Sequence, residues 1–174
     1  YVTHDQTEAL SLADRLAVMD GGRIRAVSTP EDLYLRPPNR FCAEFLGAAN
    51  RIPGTLAARD GAVGTAQTEL GTWRGTLPVT SLEPNAYVDC MVRPENLQPG
   101  PGDAEENRLD AEIRSVRPTG STLQVRLQAG EHAFEALVLN RPDAGLAAGQ
   151  SGPWHASPAA TVILPATDHK EAQA

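Results

Sequence analysis

The sequence predicts a mainly β fold, a small Greek-key barrel preceded by a short segment of helices around one hairpin. Two observations carry this reading. Up to Gly47 apolar residues recur at helical spacing between capping residues, and from Arg51 onward the chain breaks into short alternating segments separated by turn residues. With 174 residues, 41% hydrophobic and 21% charged, there is material for one large domain or two small ones with a packed core.

Ala9, Leu12, Ala13 and Leu16 fall at i, i+3, i+4 and i+7 and predict a helix over 5–16, with Asp5 as N-cap and Glu8 as its capping-box partner. Segments 16–19 and 23–27 flank Asp20-Gly21-Gly22, a turn suited to positive φ, and predict a β-hairpin. Thr29 then stands as an N-cap, with Pro30 at the first helical position and two acids in the first turn of a helix ending at Leu35. Pro37-Pro38 stops it. Asn39 caps a third helix whose predicted apolar face is Phe41, Phe45 and Leu46, and Gly47 ends it.

Strands are predicted over 52–58, 62–68, 72–77, 87–93, 108–117, 121–129, 132–139 and 160–164. The stretch 140–153, rich in Gly and Pro, reads as a loop, and the polar residues 165–174 are expected to fray. No internal repeat is evident. Many short strands at this spacing close most simply into a Greek-key barrel.

The basic and acidic side chains number 15 and 22, for a net charge of −7. Sequence-independent nucleic-acid binding needs the opposite sign. Fourteen of the basic residues are arginine and the single lysine is Lys170, so no lysine stands where a phosphate-binding loop requires one. Cys42 and Cys90 are isolated, without the spacing of a zinc or redox pair, and are expected to be buried and reduced. His132, His155 and His169 are likewise scattered, so no metal site is expected. Neither a run long enough to span a bilayer nor a signal peptide is present in these residues, which predicts a soluble, cytoplasmic chain.

Tyr1-Val2-Thr3-His4-Asp5-Gln6, followed by Glu8-Ala9-Leu10 and Ala13-Asp14-Arg15, resembles the switch-histidine region of the ATP-binding subunits of ABC transporters. The likeness continues through Asp20-Gly21-Gly22-Arg23-Ile24, Thr29-Pro30-Glu31-Asp32-Leu33-Tyr34, Asn39-Arg40-Phe41 and Ala43-Glu44-Phe45-Leu46-Gly47. Val92-Arg93-Pro94-Glu95-Asn96-Leu97, and the 110–127 strands around Thr119-Gly120-Ser121, resemble the transport-associated OB (TOBE) domain of importers of sugars, polyamines, ferric iron, sulfate or phosphonates.

The resemblance implies residues 1–50 as the end of an ATPase domain with linker helices, a short α/β remnant of a P-loop fold. It implies 51–164 as an OB-like TOBE regulatory domain and 165–174 as a tail. It also implies His4 as the histidine that contacts the γ-phosphate of ATP bound with Mg, a role suited to imidazole as a hydrogen-bond donor. Asp5 and Gln6 fall where the family's two subunits meet, although capping explains Asp5 equally well. Arg93, Pro94 and Glu95 read as a structural turn at a strand end. Implied partners are a second copy, transmembrane permease subunits, a periplasmic or lipoprotein solute-binding protein and a small-molecule or protein regulator, at the inner face of the cell membrane.

The phosphate cradle, the magnesium-binding acids and the signature motif are absent from these residues, so His4 has nothing here to position and the chain is not expected to hydrolyse ATP. Two alternatives stay open. One is a stand-alone OB-like module binding a small anion through the turns near Gly120 or Gly130, or an oligonucleotide. The other is a purely structural dimerisation domain. Residues 51–164 hold nine basic and thirteen acidic side chains and few aromatics, which counts against nucleic acid.

Overall fold

The first fifty residues follow local chemistry closely. A computed structural model describes residues 1–79 and 82–166, so most of the predicted tail, with His169 and Lys170, lies outside the described residues. Helix α1 (Gln6–Leu12) starts where Asp5 Oδ1 accepts the Glu8 N–H at 3.0 Å. Only half of the capping box forms, because the Glu8 carboxylate accepts the hydroxyls of Tyr1 and Thr3, while Thr3 Oγ1 accepts the Asp5 N–H. The helix stops at Leu12, short of the predicted residue 16. None of its residues is buried, so no packing extends it past the extended Ala13, and Leu16 belongs to the next strand.

Strands β1 (Leu16–Asp20) and β2 (Arg23–Ser28) form the predicted hairpin, with a register shift at Val18/Met19. Helix α2 (Pro30–Leu35) is capped by Thr29 and α3 (Arg40–Phe45) by Asn39 Oδ1, which accepts the Cys42 N–H at 2.9 Å. The buried face of α3 differs from the expected one. Cys42 and Ala43 turn inward with Leu46, while Phe45 is exposed and stacks on Phe41 at 5.5 Å.

Ten strands follow: β3 (Asn50–Asp60), β4 (Val63–Thr68), β5 (Gly71–Thr76), β6 (Tyr87–Val92), β7 (Gln98–Pro99), β8 (Asn107–Pro118), β9 (Thr122–Ala129), β10 (His132–Leu139), β11 (Ser151–Ala156) and β12 (Thr161–Pro165). Strand β11 corrects the predicted loop over 140–153. Five of the strands close into a barrel in the order β5-β4-β3-β6-β12, with β12 parallel to β5 and antiparallel to β6. That is the OB-like barrel expected, formed from segments far apart in sequence. The remaining five make a second sheet, β10-β9-β8-β11-β7.

The two sheets share one plan, so the chain does contain an internal repeat. In each, the third, second, first and fourth strands lie side by side, followed by a fifth. Each first strand opens on Asn-Arg-aliphatic, Asn50-Arg51-Ile52 and Asn107-Arg108-Leu109. Each slips register at the same offset, between Leu56 and Ala58 in β3 and between Ile113 and Ser115 in β8. At those bulges Leu56 exchanges backbone bonds with Asn85 and Ala86, and Ile113 does so with Gly149 and Gln150. Asn85 and Gly149 both hold positive φ, at 71° and 87°. Each fourth strand leads through a Pro-initiated 3-10 turn, Pro94–Asn96 or Pro158–Ala160, to a fifth strand. The fifth strands are exchanged: β7 follows β6 but joins the second sheet, and β12 follows β11 but closes the barrel.

Two buried asparagines tie the halves together. Asn107 accepts the Arg74 N–H at 2.7 Å and donates to the Arg74 carbonyl, so its amide pairs with β5 as a strand would. Asn50 does the same to Glu135 on β10. One apolar cluster runs through both sheets, including Trp73, Leu56 and Ile163 from the barrel with Phe134, Val125 and Trp154 from the second sheet.

Candidate functional site at the linker junction

The strongest convergence of motif residues lies where the helices meet the barrel. Arg93 directly follows β6 and is 7% exposed. Its Nη1 donates to the carbonyls of Ala43 at 3.0 Å, Gly47 at 2.9 Å and Ala48 at 3.2 Å, and its Nη2 donates to the Tyr34 carbonyl at 3.2 Å. The Tyr34 and Ala43 carbonyls come from the last turns of α2 and α3, where helices leave acceptors without internal partners, and those of Gly47 and Ala48 from the segment that follows α3. A planar fork with five N–H groups is the side chain that can gather them. The guanidinium carbon also lies 4.1 Å from the centroid of the Tyr34 ring, in a cation–π contact.

Pro94 starts the 3-10 turn, and Glu95 accepts the Tyr34 hydroxyl at 2.6 Å. Burial, then the bond to Glu95, pushes the Tyr34 phenol up to about 12. Burial pulls the Arg93 guanidinium down from its ordinary value. Gly47 has φ of +148°, and a Cβ there would stand 3.2 Å from Arg93 Nη1. Arg93 and Glu95 thus clasp the linker helices to the barrel, with Pro94 starting the turn between them.

A second anchor lies beside it. Asp89 on β6 is 1% exposed and pairs with Arg51 on β3 at 3.2 Å and with Arg40 on α3 at 3.7 Å. Ala43 packs with Met91, Val162 and Leu164 on the outer face of β6 and β12. Between the helices and that face runs a cleft of about 270 Å³, lined in part by Tyr34, Leu35, Met91, Arg93 and Val162.

The structure does not bring the other predicted site residues to this junction. His4 and Gln6 are exposed, and neither side chain has a hydrogen bond or ion pair among the described residues. Asp5 is occupied as the cap of α1. His4 stands in no phosphate cradle, and these residues alone do not fit ATP and Mg. Among the described residues no group of three or more His, Cys, Asp or Glu is placed to hold a metal. His132 faces Glu69 at 3.3 Å and His155 faces Glu106 at 2.7 Å. Both cysteines are free and buried, and burial pushes the Cys90 thiol up to about 12. No helix among the described residues is long and apolar enough to cross a membrane. Tyr34, Gly47, Arg40 and Asp89 were not singled out as site residues from sequence. They stand 46 to 59 positions from their partners in the junction, beyond any local spacing signal.

Residues 90–164 match the TOBE domain family. The chain is 40% identical over 136 residues to the spermidine/putrescine import ATP-binding protein PotA of Rubrobacter xylanophilus, a match covering 74% of the chain and 34% of that protein. It is 37% identical to the sulfate/thiosulfate import ATP-binding protein CysA of Xylella fastidiosa, covering 79% of the chain and 36% of that protein. The Fe(3+) ions import ATP-binding protein FbpC 2 of Rhizobium meliloti is 34% identical, with 79% and 36% covered. The chain therefore spans about a third of the length of these relatives. Among solved structures, the cytoplasmic molybdate-binding protein ModG superposes with a TM-score of 0.57 at 18% identity, covering 67% of the chain and 96% of ModG, a likeness of fold.

Proposed function

Since the chain belongs with the C-terminal regions of ABC-importer ATP-binding subunits that carry a TOBE domain, we propose that it joins the ATPase domain of such a subunit to its regulatory barrel. In the complete subunit, ATP hydrolysis is coupled to solute uptake and two copies pair. Residues 1–50 are the end of the ATPase part and 51–164 the regulatory part. His4 contacts the γ-phosphate of ATP held with Mg by residues beyond this chain, and Asp5 and Gln6 face the second copy. Partners are permease subunits, a solute-binding protein and a regulator, at the cytoplasmic face of the membrane.

The observation that carries this reading is the Arg93 clasp. Four hydrogen bonds and an aromatic stack hold the linker helices to the barrel, so a displacement at one side is transmitted to the other. The exposed apolar side chains of Leu12, Met19, Ile24 and Val27 support a neighbouring domain packed on α1 and the hairpin.

The test uses the complete subunit assembled with its permease in vesicles. Arg93→Gln is expected to keep ATP binding while lowering solute uptake several-fold. His4→Ala is expected to keep nucleotide binding and lower hydrolysis by about 100-fold, the scale of one positioned acid–base group. Uptake unchanged in a folded Arg93→Gln subunit would remove the coupling role, and hydrolysis unchanged in His4→Ala would remove the catalytic one.

A further inference from the structure

The clasp brings a positive charge into the protein with no carboxylate in direct contact with it among the described residues. Asp89, on β6, shows the usual remedy, two arginines for one buried acid. Arg93 has no ion pair within 4.0 Å among the described residues. Its four acceptors are all neutral carbonyls, and the nearby Glu95 is exposed and engaged by the Tyr34 hydroxyl. The Arg93 Nε–H has no acceptor among the described residues. A desolvated cation of this kind favours an anion in reach, and Arg93 lines an open cleft.

The rest of the lining defines what such an anion carries. Leu35, Met91, Val162 and Ala160 make an apolar wall, and the Asn96 side-chain amide in the same cleft has no hydrogen-bond partner among the described residues. The volume of about 270 Å³ is below that of drug-sized pockets and holds roughly nine waters at liquid density. We propose that the cleft between the linker helices and the outer face of β6 and β12 binds a small organic carboxylate. Its charged end sits at Arg93 and Asn96, and its apolar body lies against Leu35, Met91 and Val162. A ligand there touches α2, β6 and the turn before β12 at once, and so weights the junction itself.

The test is a titration of the isotope-labelled 174-residue chain with 4-methylpentanoate, read by amide chemical shifts, beside the neutral 4-methylpentanamide and inorganic sulfate. Saturable shifts at Met91, Asn96 and Ala160 are expected with the carboxylate, with affinity at least tenfold weaker for the amide and for sulfate. Ala159→Leu, at an exposed position of the turn lining the cleft, is expected to abolish them without touching the clasp, and Ala160→Leu serves as a second filling variant. No saturable shift up to on the order of 10 mM overturns the site. Equal response to the amide overturns the charge reading, equal response to sulfate overturns the apolar body, and binding that persists in both folded filled variants overturns the location.

Discussion

Arg93 does with one side chain what two helix C-caps would otherwise need, and the residues around it fail in distinguishable ways. Tyr34→Phe keeps the ring over the guanidinium and removes only the hydroxyl donated to Glu95, so the expected loss at neutral pH is about 1 kcal/mol. Its pH dependence has a definite sign. The folded protein raises the phenol from 10.0 to about 12, so the neutral form is favoured on folding. That contribution is complete below pH 10 and is lost as pH rises towards 12. Urea unfolding of the two proteins across this interval should show their difference shrinking. A constant difference would mean that Tyr34 does not titrate in this way. Gly47→Ala meets both a backbone at φ +148° and Arg93 Nη1 at 3.2 Å, held in place by its other bonds. A loss of about 1–3 kcal/mol is expected by the same unfolding measurement, larger than for an exposed glycine in open space.

At the scale of elements, stability should rise from the N-terminus into the sheets. Helix α1 buries no residue and is held by its cap and the half-buried Leu10, whereas β8 is paired on both sides. Hydrogen exchange is expected to find the α1 amides nearly unprotected and the central β8 amides exchanging only with global unfolding. Protection in α1 equal to that of β8 would show that it docks. The same contrast explains what could be read from sequence. The hairpin, α2 and α3 were legible because their signals are local: paired glycines, a Thr-Pro start and an Asn cap. Strand β11 was not, because Gly152 and Pro153 look like a breaker and become a strand only through β8 on one side and the Gly100–Pro153 bond on the other. The inward face of α3 was missed because Phe41 and Phe45 outrank Cys42 and Ala43 in apolar size, while Cys42 packs with Val18 and Leu33 and Ala43 with Met91 and Val162, contacts far apart in sequence. The site was half legible: Arg93-Pro94-Glu95 stood out as a turn, but nothing periodic links it to Tyr34 and Gly47.

For the whole molecule, the exchanged fifth strands decide how it folds. The repeat is hidden in sequence because only turns, bulges and the Asn-Arg-aliphatic starts are retained, while the core residues differ, Trp73 and Trp154 having no tryptophan at the matching strand positions. Neither half can complete itself: the barrel waits for β12, made last, and the second sheet takes β7 from the chain leaving the barrel. Asn50 and Asn107 then bond across, and the apolar cluster is continuous. The two sheets should therefore unfold in one transition. Ending the chain after Ala156 removes β12, leaves the edges of β5 and β6 unpaired there and takes Ile163 out of the core. Although the second sheet loses none of its own strands, its packing should be lost with the barrel's. Trp73 and Trp154 report one half each, so the expected result is loss of fixed tertiary environment at both, seen by near-ultraviolet circular dichroism of single-tryptophan versions, together with collapse of amide shift dispersion. A native Trp154 signal in the shortened chain would mean that the second sheet folds without the barrel, and that the shared core follows folding instead of driving it.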